Sequence, residues 1–153
     1  MKYTLFAIIC MLILGCNSSD SADDSIDYKL KNEQDITAYI NTNNLDAQRS
    51  DSGLYYVITA EGSGEQPSSN SKVTVAYKGY FLNGSVFDES NSSGITFNLN
   101  QVIKGWTEGI TYFKEGGSGL LLVPAHLGYG NRNYNGIPGG SVLIFEIKLL
   151  SVN

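Results

Sequence analysis

Residues 101–113 read Gln101-Val102-Ile103-Lys104-Gly105-Trp106-Thr107-Glu108-Gly109-Ile110-Thr111-Tyr112-Phe113. Val102, Trp106, Ile110 and Phe113 recur at spacings of four, four and three. That period is the apolar stripe of an amphipathic helix. Gly116 and Gly117 stop it, because glycine enters the left-handed region without a Cβ clash. Gly105 and Gly109 weaken a helix by roughly 1 kcal/mol each relative to alanine. They suit one whose backbone lies close against a sheet.

Around this helix the chain has period two. Leu54-Tyr55-Tyr56-Val57-Ile58 reads as a strand, followed by a Gly62-Ser63-Gly64 turn. Over 73–81, Val73, Val75 and Tyr77 share one face, while Thr74, Ala76 and Lys78 share the other. Asn83-Gly84 is a hairpin signal, since both residues tolerate positive φ. Val86 and Phe87 resume a strand, 95–99 gives a short one, and 120–123 reads as buried. Over 142–150, Leu143, Phe145, Ile147 and Leu149 alternate with Glu146 and Lys148, which implies one face on the core and one partly wet. The stretch 124–140 is long and glycine-rich, and loops of that length are usually functional. A short helix over 33–40, with Ile36, Tyr39 and Ile40 on one side, is weakly amphipathic and reads as a lid or spacer. The fold class is α+β, an antiparallel sheet wrapped around one short helix.

Composition narrows the function. With 153 residues, 42 % of them hydrophobic and 16 % charged, the chain can bury a core and holds one domain plus extras. The net charge of -5 and the lack of any basic run argue against nucleic acid as a partner. A single histidine, His126, and no cysteine cluster argue against structural zinc and against Cys/His or Ser/His nucleophiles. No metal and no cofactor are expected. Gly128-Tyr129-Gly130 lacks the third glycine and the strand–helix context of a dinucleotide fingerprint.

The N-terminal region reads as an address. Lys2 precedes an almost wholly apolar run over 5–14, too short for a membrane span of about 20 residues. Ile13-Leu14-Gly15-Cys16 resembles the lipobox of bacterial lipoproteins, which implies cleavage before Cys16 and acylation of its thiol. The layout expected is a signal peptide over 1–15, a lipidated and acidic flexible tether over 16–31, a short helical extension over 32–53 and one domain over 54–153. Stable anchoring needs more than one acyl chain, because each buried CH₂ contributes only about 0.8 kcal/mol. The acidic stretch after Cys16 is similar to surface-export signals of some Gram-negative lipoproteins, and equally to a plain linker. A cell-envelope location is expected, with the anchor in the outer membrane on its periplasmic or surface face.

Five blocks then occur in order: Val75-Ala76-Tyr77-Lys78-Gly79, Phe87-Asp88, Gln101-Val102-Ile103-Lys104-Gly105-Trp106, Gly128-Tyr129-Gly130 and Leu143-Ile144-Phe145-Glu146. Together they closely resemble the FKBP-type peptidyl-prolyl isomerases over about residues 54–152. The resemblance implies a curved antiparallel β-sheet wrapped around one short α-helix. It implies an apolar pocket of Tyr77, Phe87, Val102, Ile103, Trp106 and Phe145, with Trp106 as its floor. It makes Asp88 and Tyr129 the polar groups, with Phe87 beside them, and the Ile103 backbone N–H a donor to the bound chain. On spacing alone, the apolar members of this set are core residues.

Two positions depart from the family pattern. Gln101 stands where many relatives carry an acid. Gly136 stands near a position often held by an isoleucine that covers the ligand, so Ile137, Pro138 or Tyr134 must supply that cover. The implied activity is isomerisation of X-Pro bonds in exported polypeptides. A non-catalytic peptide-binding surface lipoprotein and a secretion or motility accessory are the alternatives on the same fold. The helix over 33–40 is shorter than the dimerising arm of some periplasmic relatives, so a monomer is expected.

Overall fold

The computed structural model describes residues 28–153. The expected signal peptide, Cys16 and most of the expected tether lie outside the described residues. The chain runs α1 (Tyr28–Thr42), β1 (Gln48–Arg49), β2 (Tyr55–Ala60), β3 (Lys72–Phe81), β4 (Val86–Glu89), β5 (Ile95–Asn98), α2 (Lys104–Gly109), β6 (Ser118–Val123) and β7 (Leu143–Val152). The seven strands form one antiparallel sheet that is not closed, in the order β1-β2-β6-β7-β3-β4, with β5 also on β3.

Strand β3 organises the site. Along one edge it pairs with β7, from Val73↔Val152 to Phe81↔Leu143. Along the other edge its first half takes β5 and its second half takes β4, where Gly79 faces Asp88. Residues from β4 and β5 therefore converge on the same sheet edge as Tyr77.

Helix α2 lies on one face of the sheet over a core that includes Val73, Val75, Leu99, Ile110, Phe113, Leu121 and Leu149, all at most 1 % exposed. A Cβ at Gly105 would fall 2.6 Å from Val123 Cγ1, and one at Gly109 2.7 Å from Leu121 Cδ2. The two glycines thus let the helix backbone approach the sheet, as their place in the sequence implies. The helix is shorter than expected over 101–113. Only Lys104–Gly109 is α-helical, flanked by 3₁₀ turns at Leu99–Gln101 and Ile110–Tyr112, and Val102 is extended. The final spacing of three in the stripe belongs to the tighter turn, where Phe113 N–H donates to the Ile110 carbonyl.

The helix expected over 33–40 spans Tyr28–Thr42 and is no spacer. It covers part of the sheet's other face. Ile36 is fully buried there against Tyr55, Leu122, Val142 and Ile144, with Tyr39 and Ile40 packed beside it. This makes the face of β7 opposite α2 dry at Ile144 and wet only from Glu146 onward. Asn44 ends the helical region with φ +51°. Arg49 Nε and Tyr55 Oη both donate to Glu33, fastening α1 to the unanticipated two-residue strand β1 and to β2.

The stretch 124–140 is ordered by its own hydrogen bonds. Gly130 N–H donates to the Ala125 carbonyl at 2.8 Å and Gly140 N–H to the Gly130 carbonyl at 2.9 Å. Tyr134 and Ile137 pair in a small antiparallel bridge. Asn32 on α1 is 1 % exposed, and its side chain bonds Ala125 and Gly140.

Candidate functional site

A hollow of about 440 Å³ opens between the β3–β4–β5 edge and α2. It is smaller than two shallow hollows of about 570 Å³, one across the wet sheet face and one beside the start of α1. Its walls set it apart. Trp106, 4 % exposed on α2, forms the floor. Tyr77, Phe97 and Phe145 stand nearly edge-on to the indole, with ring centroids at 5.0, 5.3 and 5.3 Å and interplanar angles of 88°, 81° and 81°. Phe87 continues the wall, perpendicular to Phe145 at 5.6 Å. Edge-to-face pairs of this kind contribute about 0.5–1.5 kcal/mol each beyond area burial.

A glycine makes room for it. Gly79 on β3 pairs with Phe145 on β7. A Cβ there would fall 2.6 Å from Phe87 Cζ and 3.0 Å from Phe145 Cε1. The two rings meet over a backbone that carries no side chain.

The polar groups sit at the rim. Tyr77 Oη donates to Asp88 Oδ2 at 2.6 Å, a charge-assisted geometry. Burial, and then the Asp88 carboxylate, push the Tyr77 phenol well above its ordinary pKa. Tyr129, 38 % exposed, stacks on Tyr134 at 4.8 Å with an interplanar angle of 10°. Partial burial, then Tyr134 and Asp88, push the Tyr129 phenol upward. Both hydroxyls therefore keep their protons at any physiological pH, which leaves Tyr129 able to donate. Turnover should show no decline from phenol ionisation between about pH 6 and about pH 9, measured as kcat/KM against pH. An inflection near the ordinary tyrosine value, lost in Tyr129→Phe, would contradict this.

Of the residues expected from the sequence, Tyr77, Phe87, Asp88, Val102, Ile103, Trp106, Tyr129 and Phe145 all line the hollow. Ile137 does not. It is 7 % exposed in the main core, and its bridge partner Tyr134 lines the hollow instead. Pro138 and Gly136 line the groove beside α1. Gln101 is at the rim, where its Oε1 accepts from Asn98 Nδ2 at 3.1 Å. Phe97 is a wall residue that sequence reasoning missed. The only signal for it was an aromatic within the short strand expected over 95–99.

The model of the family described as FKBP-type peptidyl-prolyl cis-trans isomerase matches residues 63–150. The chain belongs to the FKBP-type peptidyl-prolyl cis-trans isomerases. The FKBP-type isomerase FkpA of Buchnera aphidicola (subsp. Schizaphis graminum) is 46 % identical over 107 residues, covering 68 % of this chain and 42 % of the relative. A probable FKBP-type isomerase of Haemophilus influenzae is 38 % identical over 156 residues, covering 100 % of this chain and 64 % of the relative. The crystal structure of FkpA from Escherichia coli superposes with a TM-score of 0.73 at 35 % identity, covering 82 % of this chain and 61 % of that one. The FKBP chain here spans about two fifths of the length of the Buchnera relative. The FKBP match begins after β2, so α1, β1 and β2 lie outside it.

Proposed function

We propose that this FKBP domain is a peptidyl-prolyl cis–trans isomerase acting on proline-containing segments of exported polypeptides. The observation that carries this reading is the aromatic cage on Trp106, with Asp88 and Tyr129 at its rim. Membership of the family supports it.

The reaction is rotation about an X-Pro bond, whose barrier of about 18–20 kcal/mol reflects amide resonance. No covalent bond is made or broken, so what the site must supply is differential binding. In the twisted transition state resonance is lost and the carbonyl is less polar. A dry aromatic hollow disfavours the polar planar amide more than the twisted one. An acceleration of 10⁶-fold requires about 8 kcal/mol from such effects. The Trp106 floor and its ring walls hold the proline with little side-chain entropy loss. The Ile103 backbone N–H and the Tyr129 hydroxyl orient the substrate carbonyls as donors. Asp88 holds Tyr77 and biases the field of the rim. The lipobox-like residues 13–16 support tethering of this activity to the cell envelope.

The test is cis–trans exchange of short X-Pro peptides, followed by NMR, with the domain from residue 27 onward. Wild type should accelerate exchange. Asp88→Ala and Phe87→Ala should each lose about tenfold or more in kcat/KM while staying folded, a loss of about 1.4 kcal/mol of transition-state stabilisation. A folded wild type that leaves exchange at its uncatalysed rate across several X residues makes the domain a binding module instead.

A further inference from the structure

We propose that Asn32, on the helix outside the family match, is a positioning residue for the site: it fixes the two roots of the segment that carries Tyr129 and Tyr134. The proposal rests on the isomerase reading above.

Four hydrogen bonds close a ring. Asn32 Nδ2 donates to the Gly140 carbonyl at 2.9 Å, and Asn32 Oδ1 accepts from Ala125 N–H at 2.8 Å. From the other side, Gly130 N–H donates to the Ala125 carbonyl at 2.8 Å, and the Gly130 carbonyl accepts from Gly140 N–H at 2.9 Å. Asn32 and Gly130 thus grip the same two residues, each using one donor and one acceptor. Gly130 is the immediate neighbour of Tyr129, and Tyr134 lies inside the same closed segment, stacked on Tyr129. A shift at either root passes to Gly130 and so to the lip of the hollow.

The chemistry of the position fits this role. Asn32 is the one buried polar side chain among the described residues, at 1 % exposure. A buried amide is retained where both its groups are used. Leucine of similar size removes both bonds, and aspartate keeps only the acceptor. Ile36, one turn along α1, is equally buried but touches the sheet cluster of Tyr55, Leu122 and Ile144, so it reports on α1 packing without this ring.

The experiment compares Asn32→Leu, Asn32→Asp and Ile36→Ala in the full chain, at a temperature where all remain folded by circular dichroism. The expected result is a fall of about tenfold or more in kcat/KM for Asn32→Leu, a smaller fall for Asn32→Asp, and a change within about twofold for Ile36→Ala despite an equal or larger loss in Tm. In a Tyr129→Phe/Tyr134→Ala background, Asn32→Leu should add less than about twofold, because it acts through those rings. Amide exchange at Gly130 and Gly140 should quicken, and the Tyr129 ring resonances should move. Equal losses in Ile36→Ala, full additivity in the double background, or unaltered kcat/KM with quickened exchange would each overturn the proposal. If wild type itself does not catalyse, the isomerase reading fails separately. The positioning role is then decided by the Tyr129 resonances and the two amides, and unchanged signals in Asn32→Leu refute it.

Discussion

Gly79→Ala is expected to lower kcat/KM by about tenfold or more while leaving the domain folded. The methyl group would lie 2.6 Å from Phe87 Cζ, 2.8 Å from Phe87 Cε2 and 3.0 Å from Phe145 Cε1. These two rings form adjoining walls of the hollow, and neither can retreat freely. Phe145 is held edge-on by Trp106, and Phe87 by Phe81 at 5.0 Å. Overpacking of this kind costs about 1–3 kcal/mol. Part of that is offset, because alanine restricts the unfolded chain by about 0.4–1 kcal/mol relative to glycine where φ is negative. Stability should therefore change by a few degrees at most, and the loss should fall on turnover. Peptide exchange kinetics beside a thermal melt separates the two. Activity within twofold of wild type would show that the rings yield without harm to the site.

The largest stability effect is expected at a glycine far from the hollow. Gly119 on β6 faces β2, and a Cβ there would sit well inside contact with the Val57 carbonyl oxygen and 2.9 Å from Phe113 Cε1. The obstacle on one side is strand backbone, which cannot rotate away. Alanine must separate β2 from β6 at the place where their register already shifts. A cost of about 3 kcal/mol or more follows, or roughly 10 °C in Tm for a domain of this size. Gly84→Ala is the contrast. Its φ of +84° strains alanine, yet nothing lies within 4 Å, so about 1–2 kcal/mol is expected. Thermal unfolding of the two variants should rank Gly119→Ala well below Gly84→Ala, and the reverse order would mean that backbone strain outweighs strand separation here.

The strands were legible because each carries a two-residue period or a continuous apolar run, and the structure places all six expected strands within two residues of their expected positions. The aromatic cage was legible only through the resemblance. Trp106, Phe145 and Phe87 have the character of core residues, and nothing in their spacing says that they enclose a space. Helix α2 was overestimated because a 3₁₀ turn and an extended residue, Val102, can both keep an apolar side chain on one line. Helix α1 was underestimated for the opposite reason. Its buried stripe contains Asn32, and a polar residue on an apolar face lowers the apparent amphipathicity unless its backbone partners, here 93 and 108 residues away, are known. Phe97 was missed because a four-residue strand gives too little alternation to separate wall from core.

The order of strands in space has a consequence for how this molecule comes into being. β7 lies between β3 and β6 and is the last strand in chain order. A chain emerging from its N-terminal side would have β3, β4 and β5 assembled on one flank and β2 and β6 on the other, with no contact between the flanks along the sheet. Loop closure over such separations makes nucleation slow. Until residues 143–152 arrive, each flank exposes an unpaired edge and half of an apolar face. A polypeptide in that condition is two half-built sheets, open to holding factors until its last strand joins them.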